Sequence, residues 1–189
     1  MEVQLHTFLL ADLTGFSSLA ERDGDDAAAD LAITFADQVA QLALEHGAEF
    51  VKSIGDAVLV HCVNPESAIE LGLALPPEPL VHAGIHTGPA LNRAGDWWGT
   101  TVNVTARVAA AAKAGQLLVT EAATHAAGEL GRALLREVGA LRLKNICSPV
   151  RVYTPAFAYA GDGAPRGNDV RPLFTPSVQT PTPSPRRSR

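Results

Sequence analysis

Lys52-Ser53-Ile54-Gly55-Asp56 places a cation and a carboxylate four residues apart around a Gly-Asp turn, between two apolar runs. Few purely structural needs require that pattern. Upstream, Phe8-Leu9-Leu10-Ala11-Asp12-Leu13-Thr14-Gly15-Phe16 ends a long apolar run in a second carboxylate. Downstream, Asp96-Trp97-Trp98-Gly99-Thr100-Thr101-Val102-Asn103-Val104-Thr105-Ala106-Arg107 sets polar groups along a predicted helix. If Asp12 at a strand end and Asp56 in a neighbouring turn converge, the pair suits two divalent cations, Mg²⁺ or Mn²⁺, that also bind phosphate oxygens and water. Hard cations prefer oxygen ligands, and Mg²⁺ rarely takes an all-protein cage. The plainer alternative makes Asp56 a turn former and Asp12 a cap for the Thr14-Gly15 turn, although an acid closing so apolar a strand needs a partner. Asn103 and Arg107, four apart, share a helix face and leave Val102 and Ala106 for the sheet side; a solvated helix surface is the plain alternative for both. Lys52 and Asp96, each seen alone, suit a surface lysine and a loop aspartate.

The elements that must position these residues follow from periodicity. Leu5 to Leu13 is apolar enough for a buried central strand. Asp23-Gly24-Asp25-Asp26 offers N-cap oxygens, and Leu31, Phe35, Val39 and Leu42 then recur at helical spacing until Gly47. Glu49 to Ile54 and Ala57 to Val63 flank Gly55-Asp56 as a hairpin. A helix from Pro65 to Leu75 ends at Pro76-Pro77-Glu78-Pro79, and Leu80 to Thr87 forms a third inner strand closed by Gly88-Pro89. Strand, helix, hairpin, helix, strand is the βαββαβ unit of the ferredoxin-like superfold, an α/β (α+β) class with an antiparallel sheet and helices on one face. Beyond it the pattern predicts a helix from Thr100 to Lys113, a strand at Gln116 to Thr120, a short helix near Ala122 to Gly128 and a closing strand pair around Leu141 to Tyr153. One domain over 1–158 is expected, followed by a Pro/Ser/Arg-rich disordered tail over 159–189.

The 189 residues, 47% of them hydrophobic, can bury one good core. A net charge of -5 argues against a protein that coats nucleic acid. Cys62 and Cys147 have no cysteine or histidine at metal-ligand spacing and read as core thiols in a reducing compartment. The chain opens without a signal pattern, and no window reaches bilayer length, so a cytoplasmic protein without a membrane anchor is expected.

Together the three segments resemble the catalytic domain of class III nucleotidyl cyclases, most closely the bacterial adenylate cyclases. The resemblance spans roughly Leu5 to Pro155. It implies that Asp12 and Asp56 bind two metal ions, that Asn103 orients the ribose and that Arg107 stabilises charge on the phosphates, a task suited to a planar, permanently charged guanidinium. It implies that Lys52 and Asp96 select adenine: Lys52 faces the N1 acceptor, Asp96 accepts from the exocyclic amine, and guanine would meet both with the wrong polarity. Lys144, in Leu141-Arg142-Leu143-Lys144-Asn145-Ile146, matches the closing motif and its implied contact is the β- or γ-phosphate; at a strand end it also suits an edge guard. His86 is read as structural, and Trp97 and Trp98 as packing for the loop or a dimer seam. The short connection from His86-Thr87-Gly88 to Asp96 departs from the longer dimerisation arm of other members. The family's homodimer implies shared sites, with Asp12 and Asp56 from one chain and Lys52, Asp96, Asn103 and Arg107 from the other.

The expectation is therefore an ATP-consuming adenylate cyclase. Alternatives are a guanylate cyclase, disfavoured by Lys52 and Asp96, and a catalytically silent nucleotide-binding regulatory module. Diguanylate cyclases share the topology, but their hairpin differs from Ile54-Gly55-Asp56-Ala57-Val58. An RNA-binding module would need exposed strand aromatics, and only 5% of residues are aromatic.

Overall fold

The opening apolar run forms the centre of a sheet, because both of its faces are covered. The computed structural model describes residues 4–156; the tail expected over 159–189 lies outside them, as do the ends of the domain expected over 1–158. Strand β1 (Leu5–Leu13) pairs antiparallel with β3 (Ala57–Cys62) on one side and with β4 (Val81–Pro89) on the other. Between them in sequence come α1 (Phe16–Asp23), α2 (Asp25–Glu45), β2 (Glu49–Ile54) and α3 (Pro65–Ala74). The chain continues with β5 (Leu91–Arg93), β6 (Asp96–Trp98), α4 (Thr100–Ala111), β7 (Leu117–Thr120), α5 (Glu121–Ala126), α6 (Gly128–Leu134), β8 (Leu135–Leu141) and β9 (Val150–Pro155). The main sheet runs β2-β3-β1-β4-β7-β9-β8, and β5 and β6 form a separate two-stranded sheet. Apart from the parallel β4–β7 pair, every pairing is antiparallel. The βαββαβ core expected from the sequence is present as β1, α2, β2, β3, α3 and β4.

Successive strand residues point to opposite faces, and β1 divides accordingly. Leu9, Ala11 and Leu13 join Phe35 and Val39 of α2 and Ile69 and Leu71 of α3 in the larger core. Phe8 and Leu10 turn the other way and pack with Leu59, Trp97 and Ala109 of α4. The helices of the βαββαβ unit thus share one face, and α4 covers the other. Side chains as fully buried as Phe8, Leu9 and Phe35 each stabilise the fold by about 1.5–3 kcal/mol.

Several expected details differ. A separate helix, α1, precedes α2, and the acids meant to cap the long helix are not caps: Gly24 is the N-cap residue with no side-chain cap bond, and Asp25 and Asp26 occupy the first turn, where their charge complements the helix dipole. The closing strand pair begins earlier, at Leu135, and the stretch from Arg142 to Pro149 is a loop. Cys62 is buried but Cys147, expected in the core, is exposed in that loop.

Two glycines let α4 lie on the sheet. A Cβ on Gly84 would collide with the backbone of Ala109, and one on Gly88 would stand 2.6 Å from Thr101 Oγ1. Neither the strand nor the helix backbone can retreat without disturbing its own hydrogen bonds. Gly84→Ala is therefore expected to destabilise the protein by about 1–3 kcal/mol, the usual range for overpacking. A urea denaturation midpoint unchanged from the parent would contradict this account of the contact.

Candidate active site

Register brings the two aspartates together. Asp12 lies opposite Ala57 of β3, and Asp56 immediately precedes Ala57 in the two-residue turn that follows Ile54. Gly55 enters that turn with φ 65°, a left-handed conformation that glycine adopts without a Cβ penalty. Asp12 also lies opposite His82 of β4. His82 Nε2 stands 3.2 Å from Asp12 Oδ2, and Thr14 Oγ1 is 3.3 Å from His82 Nδ1. Partial burial and the neighbouring Asp56 carboxylate both hold the Asp12 carboxyl above its usual range, against the smaller opposing pull of His82.

The like charge of Asp56 and partial burial both penalise an ionised Asp12, and the hard oxygen donors of the pair fit Mg²⁺ or Mn²⁺. Among the described residues no group of three or more His, Cys, Asp or Glu side chains is arranged to hold a metal by itself. A site with two protein carboxylates thus leaves positions for phosphate oxygens and water.

Lys52 and Asp96 meet on the α4 side of the sheet. Lys52 Nζ donates to Asp96 Oδ1 at 2.7 Å and Oδ2 at 2.6 Å, and Asp96 Oδ1 also accepts from the Trp97 backbone N–H at 2.8 Å. These donors hold the Asp96 carboxyl below its usual range, Lys52 being the largest cause. Both side chains remain partly exposed, at 38% and 31%, so the pair is a donor and an acceptor within reach of a ligand.

Asn103 and Arg107 occupy the outer side of α4. Its sheet face is Thr101, Val104, Thr105, Val108 and Ala109, with Val102 and Ala106 at the margin beside Trp97. Among the described residues the side chains of Asn103, Arg107 and Lys144 have no hydrogen-bond or ion-pair partner. Lys144 is exposed in a turn of the β8–β9 loop and not at a strand end; Leu143 beside it packs with Val104 and Val108, which ties that loop to α4. The geometry therefore joins Asp12 with Asp56 and Lys52 with Asp96, and leaves the other three groups unengaged.

His82 was missed in the sequence. Its signal was available: an antiparallel β1–β4 pair puts a polar residue of one strand opposite the aspartate ending the other. His86, read as structural, stands partly buried with Nδ1 2.8 Å from Thr120 Oγ1. Trp97 is buried under α4, whereas Trp98 is exposed.

No family model matches the chain. It is 34% identical over 160 residues to the pH-sensitive adenylate cyclase of Mycobacterium tuberculosis, an alignment covering 78% of this chain and 39% of that protein. The chain thus spans less than half the length of that curated relative. Among solved structures it superposes on the adenylyl cyclase CyaB from P. aeruginosa with a TM-score of 0.69 at 22% identity, over 86% of this chain and all (100%) of the other. The guanylate cyclase domain of RhGC from Catenaria anguillulae in complex with GTP gives a TM-score of 0.70 at 17% identity, over 82% and 97%. The likeness to both shows the fold, which does not distinguish the two nucleotides.

Burial pushes the His86 imidazole down to about 4 from its ordinary 6.5. Between those values the unfolded chain holds a proton that the folded chain does not. The stability that neutral His86 contributes is therefore present above about pH 6.5 and lost as pH falls toward 4. Between pH 7 and 4 the parent should lose about 2 kcal/mol more than His86→Asn, a figure reduced for partial solvation of the ring. Parallel denaturant titrations across that range that coincide for both proteins would refute the assignment.

Proposed function

We infer that this chain, which belongs to the class III nucleotidyl cyclase family, is an adenylate cyclase that converts ATP to 3′,5′-cyclic AMP and pyrophosphate. The observation that carries the reading is the pairing of Lys52 with Asp96 on the sheet face that also bears the Asp12 and Asp56 carboxylates. An ammonium donor beside a carboxylate acceptor matches the N1 acceptor and amino donor of adenine; guanine presents the opposite polarity at both positions. The relatives named adenylate cyclase support the same choice.

In this reading the ribose 3′-oxygen attacks the α-phosphorus in line, a new phosphorus–oxygen bond forms, the bond to the bridging oxygen breaks, and pyrophosphate leaves with the hydroxyl proton passing to solvent. Asn103 orients the ribose. Arg107 offers two parallel N–H donors to the phosphoryl oxygens as charge develops on them, and Lys144 meets the β- or γ-phosphate. Asp12 and Asp56 would hold two divalent cations, Mg²⁺ or Mn²⁺, which when bound lower the pKa of the 3′-hydroxyl and neutralise triphosphate charge.

The unengaged Asn103 and Arg107 side chains support a homodimer in which Asp12 and Asp56 of one chain face Lys52, Asp96, Asn103 and Arg107 of its partner. Leu91 and Trp98, opposite each other on the small β5–β6 hairpin and each 59% exposed, offer apolar surface for such a contact. No helix among the described residues is long and apolar enough to cross a membrane, and two free thiols suit a reducing cytoplasm.

Purified protein with Mn²⁺ should form cyclic AMP from ATP and far less cyclic GMP from GTP, and Asp56→Ala should lower the rate by about 10²-fold or more. A folded, dimeric parent that makes neither product would favour the regulatory-module reading. Mixing Asp12→Ala chains with Arg107→Ala chains should restore activity absent from either alone, since one of the two sites in the mixed dimer is then intact. Failure to recover activity would argue against sites shared between chains.

A further inference from the structure

The hairpin that carries Asp96 makes no strand pairing with the main sheet. β5 and β6 hydrogen-bond to each other and form a sheet of their own. Asp96 must nevertheless stay within 2.7 Å of Lys52, which belongs to β2 of the main sheet. What locates it is the residue that follows. Trp97 is 8% exposed and enters the apolar cluster of Phe8, Leu10, Leu59 and Ala109.

Its indole lies on two histidines. The ring centroids of Trp97 and His61 are 4.2 Å apart, those of Trp97 and His6 are 4.5 Å apart, and Phe8 meets the indole edge-on at 5.3 Å. Among the described residues the indole Nε1 has no hydrogen-bond partner, so packing against these rings and against Leu10, Leu59 and Ala109 holds the side chain. The histidines are themselves fixed by a chain of polar contacts. His6 Nδ1 is 3.1 Å from His61 Nε2, and His61 Nδ1 is 3.1 Å from Glu49 Oε2. One set of tautomers satisfies both contacts: His61 donates from Nδ1 to Glu49, and its bare Nε2 accepts from His6 Nδ1–H.

Glu49 ties the histidines to β2. It lies on β2 opposite His61, and Lys52 lies on the same strand just past the irregularity between Phe50 and Lys52. A strand whose register shifts there needs an anchor if Lys52 is to stay opposite Leu59, and the Glu49–His61 contact is that anchor. The same two imidazoles therefore hold β2 through Glu49 and the separate hairpin through Trp97.

We propose that the His6–His61 pair, with Glu49 and Trp97 on its two sides, is the positioning platform that sets Lys52 and Asp96 against each other and so determines which nucleobase the protein accepts. None of the four residues need touch the base. The inference rests on the adenylate cyclase reading for the identity of the ligand, but its geometric content stands apart from that reading.

The test has two arms on the full chain. In the first, ¹³C NMR follows the titration of the Asp96 carboxylate without nucleotide, in the parent, Trp97→Leu, Trp97→Phe and His61→Gln. Lys52 holds this carboxyl below its usual range in the parent. Trp97→Leu and His61→Gln should return it toward the ordinary value, and Trp97→Phe, which keeps a ring on the platform, should preserve most of the depression. In the second arm, ATP and GTP compete against a fluorescent ATP analogue under non-turnover conditions, with thermal unfolding recorded beside them. Trp97→Leu and His61→Gln should weaken ATP about tenfold while leaving GTP within about threefold, the signature of lost polar recognition and not of general damage. An unmoved Asp96 titration in folded Trp97→Leu would overturn the platform. Equal weakening of both nucleotides would overturn its role in base selection. If the Asp96 titration moves but the parent binds neither nucleotide, the positioning stands and the adenylate cyclase reading fails. If Trp97→Leu does not fold, His61→Gln decides both arms by the same criteria.

Discussion

Gly84 has no side chain, and the backbone of α4 at Ala109 stands where one would be. Most of the site's geometry depends on that approach. With α4 set directly on β4, its two flanks close over different parts of the sheet: Ala106 and Ala109 toward β1, β3 and Trp97, and Val104 and Val108 toward β7, β9 and Leu143. The outer side, bearing Asn103 and Arg107, then has a fixed height and direction above the strands. Helices normally pack at separations dictated by interlocked side chains, and removing the side chains at Gly84 and Gly88 brings this one closer than a side-chain layer would allow.

Two opposite electrostatic arrangements sit on the same face. Asp12 and Asp56 are like charges brought together by register, and the protein does not neutralise them fully: His82 offers one contact, while burial and repulsion still raise the Asp12 pKa. Lys52 and Asp96 are opposite charges that satisfy each other at short distance. The first pair favours a cation because burial and like charge penalise its ionised form. The second must exchange its mutual contacts for contacts to a ligand, which costs little where water already reaches both groups. In the proposed shared sites, the acidic pair of one chain and the donor–acceptor pair of its partner would meet opposite ends of one nucleotide.

The backbone is held by different means in different places. β1, β3 and β4 are tied into the sheet by continuous hydrogen-bonded register. The β8–β9 loop with Lys144 is tied down by Leu143, a single apolar side chain in the cluster beside α4. The β5–β6 hairpin relies on Trp97 in the same way. Anchoring loops through one buried side chain places polar neighbours accurately without extending the sheet.

The candidate residues stand out in the sequence as unusual types for their places: an acid closing a buried strand, a lysine before a Gly-Asp turn, Asn and Arg at helical spacing. The fold joins Asp12 with Asp56 and Lys52 with Asp96 and leaves Asn103, Arg107 and Lys144 unengaged. The βαββαβ order was legible too, since each of its elements carries its own periodicity and its own Gly or Pro punctuation. Where local signals were weak, reading failed. The first strand of the closing pair, Leu135–Leu141, alternates little, and its start directly after α6 lacks a turn residue; Cys147 sits among apolar neighbours in sequence but in a loop in space. His82, His6, His61 and Glu49 gave no local sign, because each matters only through a partner on another strand. Sequence by itself determined which groups exist and, for those on β1, the β2–β3 hairpin and α4, which element carries each, since those follow from residue type and short-range periodicity. Tertiary structure alone decided which groups meet, because strand register and the close seat of α4 are set by contacts between residues tens of positions apart.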